Sequence, residues 1–287
     1  MSTHREIRLS QGTIRYREDG PADGPVLVFV HGFLVDGALW RKVVAEASGW
    51  ARCIAPDLPL GSHTRPMNAE ADLSPQGVAT IIDAFLAALD LDDVTLVGND
   101  TGGAISQLVV ANHPERIGRL VLTNCDAFEN FPPRAFKPVI QAGARVPGAM
   151  AMLSYAGRFG FLRDAAMSLA PLTVTPIPDE TVRSWLQALR QRGVRRDVVK
   201  VMRGISASVT LEAAERLPAF ERPVLIAWGT RDVFFKTADA ERLAALFADA
   251  RLERIEDART FVQLDAPERL AELIAEFVRT PVGALAT

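Results

Sequence analysis

The residues best placed to do chemistry lie in Gly98-Asn99-Asp100-Thr101-Gly102, between the apolar run Val94 to Val97 and a helical pattern from Thr101 to Asn112. A chain that switches from strand to helix within so few residues forces its central residue into strained backbone geometry. It also lifts that side chain above the sheet edge and demands small neighbours on both sides. The residue so displayed is Asp100. A carboxylate attacks a saturated carbon bearing a leaving group more naturally than it attacks an ester carbonyl, so Asp100 is the candidate nucleophile. The competing reading is an inert Asp100 in a degenerate turn. It would keep a partly buried carboxylate without a partner, which is costly.

The elements that must position Asp100 alternate along the chain. Glu6 to Leu9 and Thr13 to Glu18 flank Gln11-Gly12 as an antiparallel hairpin would. Val26 to Val30 is an unbroken apolar run that fits a strand buried on both faces. Leu39 to Ala47 reads as a helix, Ala51 to Ala55 as a strand, and Ser74 to Leu89 as a helix with Ser74 as cap and Pro75 at its first position. After the turn come the helix Thr101 to Asn112 and the strand Arg119 to Thr123. From about Cys125 to Phe220 the pattern changes to helical periodicity without strands, and the segment is rich in aromatic and Met residues, among them Phe159, Phe161 and Met167. Alternation resumes with the strand Pro223 to Gly229, a helix from Ala238, the strand Arg251 to Ile255 and a helix from Pro267 to Val278. The expected fold is therefore α/β: a mostly parallel eight-stranded sheet with helices on both faces. Residues 1–126 and 221–287 would form the core domain, and residues 127–220 a helical cap inserted in it.

Composition bounds the function. A chain of 287 residues, 48% apolar, can bury a large core as a single unit. Its 32 basic and 35 acidic residues are spread along the chain and give no field to attract nucleic acid or anionic lipid. Cys53 and Cys125 stand at the edges of expected buried strands, and no spacing suggests a metal site, a disulfide or a phosphate-binding loop. The N-terminus lacks the apolar run of a signal peptide, and no stretch is long enough to span a bilayer. These features predict a cytoplasmic protein with no cofactor, no nucleic-acid or membrane partner and a small-molecule substrate. A homodimer stays open.

Four motifs in order carry a resemblance: His31-Gly32-Phe33, Gly98-Asn-Asp-Thr-Gly102, Trp228-Gly-Thr-Arg-Asp232 and Thr260-Phe-Val-Gln-Leu-Asp-Ala-Pro267. Over nearly its full length the chain resembles the α/β-hydrolase superfamily. It is most similar to the branch with an Asp nucleophile that holds haloalkane dehalogenases, fluoroacetate dehalogenases and epoxide hydrolases. The resemblance implies that Asp100 forms an alkyl ester and that the backbone N–H groups of Phe33 and Thr101 hold the oxyanion when water attacks it. Such fixed donors are worth about 3 to 4 kcal/mol each. It implies too that Asp232 is the acid that orients a catalytic His.

That His is missing. Counting back from Pro267, its place holds Thr260, preceded by Arg259 where the family keeps Gly. Of the four His residues, His31 belongs to the loop motif, while His4 and His113 lie near a terminus and at a helix end. His63 follows the fourth strand on the same sheet edge as Asp100, and two roles stay open for it: a base replacing the missing one, or a hydrogen bond within its own loop. Halide-binding Trp and Asn are replaced by Thr101 and Phe33, the Arg residues of fluoroacetate dehalogenases by Thr101 and Ala104, and of a cap tyrosine pair only Tyr155 exists. Asn124 and Asp126 either line the site or cap the strand end. The expected pocket comprises His31, Leu34, Asn124, Asp126, Phe128, Tyr155, Trp185, Phe234, Thr260 and Phe261, and its apolar character implies a small, largely apolar substrate. Hydrolysis through Asp100 is the leading expectation. The alternatives are a lyase, isomerase or cyclase with Asp100 as base, and a ligand binder on a disabled hydrolase fold.

Overall fold

The computed structural model describes residues 3–156 and 170–280; Phe159, Phe161 and Met167 lie outside the described residues. The strands are β1 (Thr3–Leu9), β2 (Gly12–Asp19), β3 (Val26–Val30), β4 (Arg52–Pro56), β5 (Val94–Asp100), β6 (Ile117–Cys125), β7 (Val224–Gly229) and β8 (Ala250–Ile255). They form one sheet in the order β1-β2-β4-β3-β5-β6-β7-β8. β1 pairs antiparallel with β2, with Leu9 opposite Gly12, and β2 pairs antiparallel with β4. Every other neighbouring pair is parallel. This is the mostly parallel eight-stranded sheet, with helices on both faces, that the alternation predicts.

Period-two burial on both faces explains why the central strands are continuous apolar runs. Val28, Val30, Leu96, Leu122 and Ile226 point into one apolar cluster, and Leu27, Phe29, Val97, Val121 and Leu225 into the other. The helices before β6 are α1 (Arg41–Ala47), α2 (Pro75–Ala88) and α3 (Thr101–Asn112). α2 and α3 cover the first face through residues such as Ile81, Phe85, Ile105 and Val109. α1 covers the second with the C-terminal helix, through Val43, Leu273, Ile274 and Phe277. Ser74 caps α2 as its sequence predicts, its hydroxyl accepting from the N–H of Gly77 at 3.1 Å. The helix expected from Leu39 opens instead with a 3-10 turn, Gly37–Trp40, because the Asp36 carboxylate accepts from the Ala38 N–H at 3.0 Å and starts the turn two residues early.

Between β6 and β7 the described residues form helices and no strand: α4 (Lys137–Arg145), α5 (Ala149–Ala156), α6 (Asp179–Gln187), α7 (Arg192–Gly204) and α8 (Ala207–Arg216). The first four share an apolar cluster of their own, built from Met150, Leu153, Val182, Leu186, Val194 and Val198. Leu34, from the loop after β3, enters the same cluster. In contrast, α8 packs into the sheet-face cluster through Val209 and Ala213. After β7 follow α9 (Thr237–Ala244), the short α10 (Val262–Asp265) and α11 (Pro267–Arg279). No helix among the described residues is long and apolar enough to cross a membrane.

Candidate active site

The C-terminal ends of β3, β5, β6 and β7 bring the chemistry together. Asp100 closes β5 with φ +54° and ψ −133°, a conformation an L residue adopts only under constraint. Close backbone approach supplies the constraint. A Cβ added to Gly102 would stand 2.3 Å from the carbonyl oxygen of His31, and one added to Gly103 would stand 2.3 Å from the Cβ of Cys125. Asn99 points the other way, into the sheet edge. Its Nδ2 donates to Thr123 Oγ1 at 2.8 Å, to the Asn124 carbonyl at 3.0 Å and to the Thr260 carbonyl at 2.7 Å, and its Oδ1 accepts from Gln263 Nε2 at 2.8 Å.

Asp100 is held by the loop after β3. The Phe33 N–H donates to Asp100 Oδ2 at 3.0 Å, and the Thr101 backbone N–H helps to favour the charged carboxyl. The loop is fixed in turn by His31, whose Nε2 accepts from the Leu58 N–H at 2.9 Å and whose Nδ1 lies 2.8 Å from the Gly32 carbonyl. That pattern assigns the proton to Nδ1, and burial pushes the His31 pKa down, so the ring is neutral. Gly32 has no room for a side chain: a Cβ there would meet Asp100 Oδ2 at 2.1 Å. Gly32→Ala is therefore expected to displace the carboxylate and lower any rate that depends on it by about 10²-fold. It should also destabilise the fold by about 1 to 3 kcal/mol through overpacking. Kinetics and a denaturant melt of the same variant check both.

Asp100, Thr101 and Asp126 are the polar side chains in a cavity of about 90 Å³, walled by Phe33, Leu34, Phe131, Phe136, Leu172, Met202 and Phe261 among others. Burial pushes the Asp100 pKa up to about 6, with the Asp232 charge adding to the rise and the Thr101 and Phe33 N–H bonds opposing it. Asp126 is pushed well above the usual carboxylate range, first by burial and then by the charge of Asp100. Its Oδ2 accepts from Thr101 Oγ1 at 3.2 Å, and its Oδ1 is buried without a partner. A larger open groove of about 850 Å³, with Arg134, Lys137, Arg145 and Arg203 along it, lies across Phe131, Ile140 and Met202 from this cavity.

Asp232 is fully occupied. Its Oδ1 accepts from the N–H groups of Phe234 (2.7 Å) and Phe235 (3.1 Å), and its Oδ2 from Asn124 Nδ2 (2.8 Å) and Thr260 Oγ1 (2.9 Å). Thr260 thus stands on the acid where the resemblance implies an imidazole. Asn124 ties β6 to β7 as well, since its Oδ1 accepts from the Gly229 N–H at 2.6 Å. Asn124 and Thr260 hold Asp232 and do not line the cavity.

Several residues expected in the site stand elsewhere. His63 is buried against α7, with Nε2 3.2 Å from Asp197 Oδ2 and Nδ1 accepting from the Gly61 N–H at 3.4 Å. Both ring nitrogens are spent, and His63 does not line the cavity that holds Asp100, so its catalytic reading is corrected to a structural one. Tyr155 is 59% exposed on α5 and faces away from the cavity. Trp185 sits behind the wall: its ring meets that of Phe261 edge to face at 6.5 Å and its Nε1 donates to Asp36 at 3.2 Å. Phe128 (φ +52°) lies in the sheet-face cluster with the Arg242 guanidinium over its ring at 3.9 Å. Phe234 backs the wall through its contact with Phe136, ring centroids 4.7 Å apart, and His31 acts through the loop. Leu34, Asp126 and Phe261 line the cavity. The wall residues that the sequence did not disclose, Phe131, Phe136, Leu172 and Met202, come from the segment between β6 and β7. Only the aromatic and Met enrichment of that segment pointed toward them.

Comparison with known proteins agrees with this geometry. Residues 25–267 match the model of the alpha/beta hydrolase fold family. A haloalkane dehalogenase 2 of Mycobacterium bovis is 30% identical over 276 residues, covering 93% of this chain and 92% of that protein. A cis-3-alkyl-4-alkyloxetan-2-one decarboxylase of Xanthomonas campestris is 28% identical, covering 93% of each. Among solved structures, the epoxide hydrolase CorEH superposes with a TM-score of 0.80 at 18% identity, over 96% of this chain and 98% of that one. By its sheet order, its strained turn after β5 and its relatives over nearly the whole length, the chain belongs to the alpha/beta hydrolase fold family.

Proposed function

We propose that the protein is an enzyme of nucleophilic displacement on small, largely apolar electrophiles, of the haloalkane dehalogenase or epoxide hydrolase kind, with Asp100 as nucleophile. The observation that carries this reading is the binding of Asp100 Oδ2 by the Phe33 N–H in a cavity with otherwise apolar walls. Holding one carboxylate oxygen leaves the other to attack a saturated carbon. The same donors then face the carbonyl oxygen of the resulting ester, where negative charge develops when water adds. A cavity of about 90 Å³ has room for a few carbon atoms and favours a small substrate.

The test is intact-protein mass spectrometry after incubation with bromopropane, followed by peptide mapping. The expected result is one propyl group on Asp100. Because the nucleophile is the carboxylate, with a pKa of about 6, alkylation should rise about tenfold per pH unit below that point and level off above it. A flat profile from pH 4 to 8, or an adduct elsewhere, would sink the reading.

A non-hydrolytic reaction is the second reading, favoured by one observation: Thr260 occupies the place of the base, and Asp232 has no imidazole to orient. The Xanthomonas relative is named for a decarboxylation. Whether product formation consumes water separates the two readings.

A further inference from the structure

Asp126 has no part in the mechanism as so far drawn, yet it shares the cavity with Asp100. Its backbone is fixed there: its N–H approaches the Asp100 carbonyl at 3.4 Å, and its own carbonyl accepts from Gln107 Nε2 at 2.9 Å. Its two oxygens are unequal. Oδ2 accepts a hydrogen bond from Thr101, so a proton on this carboxyl belongs on Oδ1, the oxygen buried without a partner. A buried polar atom left unpaired costs stability that a substrate oxygen would recover on binding.

Resting on the reading of Asp100 as nucleophile, we infer that Asp126 is the proton donor to an oxygen leaving group and then the general base for the water that releases the ester, replacing the His absent at Thr260. In the first step Asp100 attacks a ring carbon of an epoxide, the carbon–oxygen bond breaks toward oxygen, and the Asp126 proton passes to that oxygen. Asp100 is then a hydroxyalkyl ester and Asp126 a carboxylate. In the second step Asp126 takes a proton from water as the hydroxide adds to the ester carbonyl, with the oxyanion on Phe33 and Thr101. The intermediate collapses, the departing alkoxide receives the Asp100 carboxyl proton, and both side chains regain their starting states. The net reaction is epoxide plus water to diol.

Electrostatics agrees with the division of labour. The charges that Asp126 feels are those of Asp100 and Asp232, both negative, while the neighbouring Cys125 thiol is pushed well above its usual range by burial and stays neutral. Two carboxyls whose surroundings drive them apart in acidity make an acid and a nucleophile side by side. Esterification of Asp100 removes the nearer charge, which eases the second role.

Leaving groups are thereby sorted. A halide departs without a proton, so after alkylation by a halide Asp126 is still protonated and cannot serve as base. The resulting ester should persist. The experiment is a matched pair of probes, bromopropane and propylene oxide, with wild type and Asp126→Asn, followed by intact mass and diol assay. Wild type should accumulate the propyl ester from the halide and turn over the epoxide without accumulating adduct. Asp126→Asn should lose about 10² to 10⁴ in epoxide turnover, a far larger loss than it shows in alkylation by the halide. Should that variant not fold, the wild-type pH profile decides: epoxide turnover should fall on the alkaline side while halide alkylation stays level. Equal losses with both probes, an epoxide adduct that accumulates as the halide adduct does, or matching alkaline limbs would overturn the inference. An Asp100 untouched by both probes overturns the nucleophile reading and the inference with it.

Discussion

Asp100→Asn is expected to take up no alkyl group and to lose turnover by at least about 10⁴-fold, because among the described residues the one other carboxyl lining the cavity is Asp126. Asp126 cannot substitute, since it is held protonated by burial and by its neighbour. Loss of chemistry must be separated from loss of fold. The folded pKa of Asp100 lies above its ordinary 3.8, so the native state holds the extra proton between about pH 4 and 6. Above pH 6 the buried charge is a standing cost, of up to about 3 kcal/mol. An amide carries no such charge. At pH 8 the variant should therefore melt at or above the wild-type temperature while being inert, and at pH 4 the difference should shrink. A variant that is inert because it is unfolded would show the opposite order.

Thr260→His is expected to release an alkyl ester that persists in wild type after reaction with a halide. In wild type the Thr260 hydroxyl donates to Asp232 Oδ2 at 2.9 Å, and an imidazole Nδ1–H in its place would make the same bond and leave Nε2 as a base. Asp232 needs no repositioning, since Phe234, Phe235 and Asn124 already orient it. Its charge also helps to raise the Asp100 pKa, after burial. The expected gain is about 10² to 10⁴-fold in release of the propyl ester formed from bromopropane, read as disappearance of the adduct mass. Because Thr260 is fully buried, the larger ring should cost about 1 to 3 kcal/mol of stability. An adduct that persists in a folded Thr260→His protein would show that more than the base is missing.

What could be read from the chain follows from how its parts are specified. The sheet announces itself locally, because strands such as Val26–Val30 and Val224–Gly229 are buried on both faces and must be apolar throughout. Asp100, Phe33, Thr101 and Asp232 are likewise tied to strand ends by short, recognisable turns. The walls of the cavity are another matter. Met202 and Leu172 reach it only through the packing of helices on one another, and nothing in their immediate neighbours states which way they face. His63 failed for the same reason: its partner Asp197 lies 134 residues away on α7, and a lone buried His cannot reveal from sequence which carboxylate will claim it. Tyr155 had a suitable residue type and an unsuitable helix face.

Leu34 is one of the points at which the loop after β3 meets the helices between β6 and β7. With φ +59° it projects from that loop into the apolar cluster of those helices, while the adjacent Phe33 N–H bonds the Asp100 carboxyl. Close-packed interiors transmit displacement rather than absorb it. Reshaping those helices therefore also pulls on the N–H that holds Asp100. Leu34 puts the shape of the helical layer and the placing of the Asp100 carboxyl on one short loop, so a change in either is felt by the other.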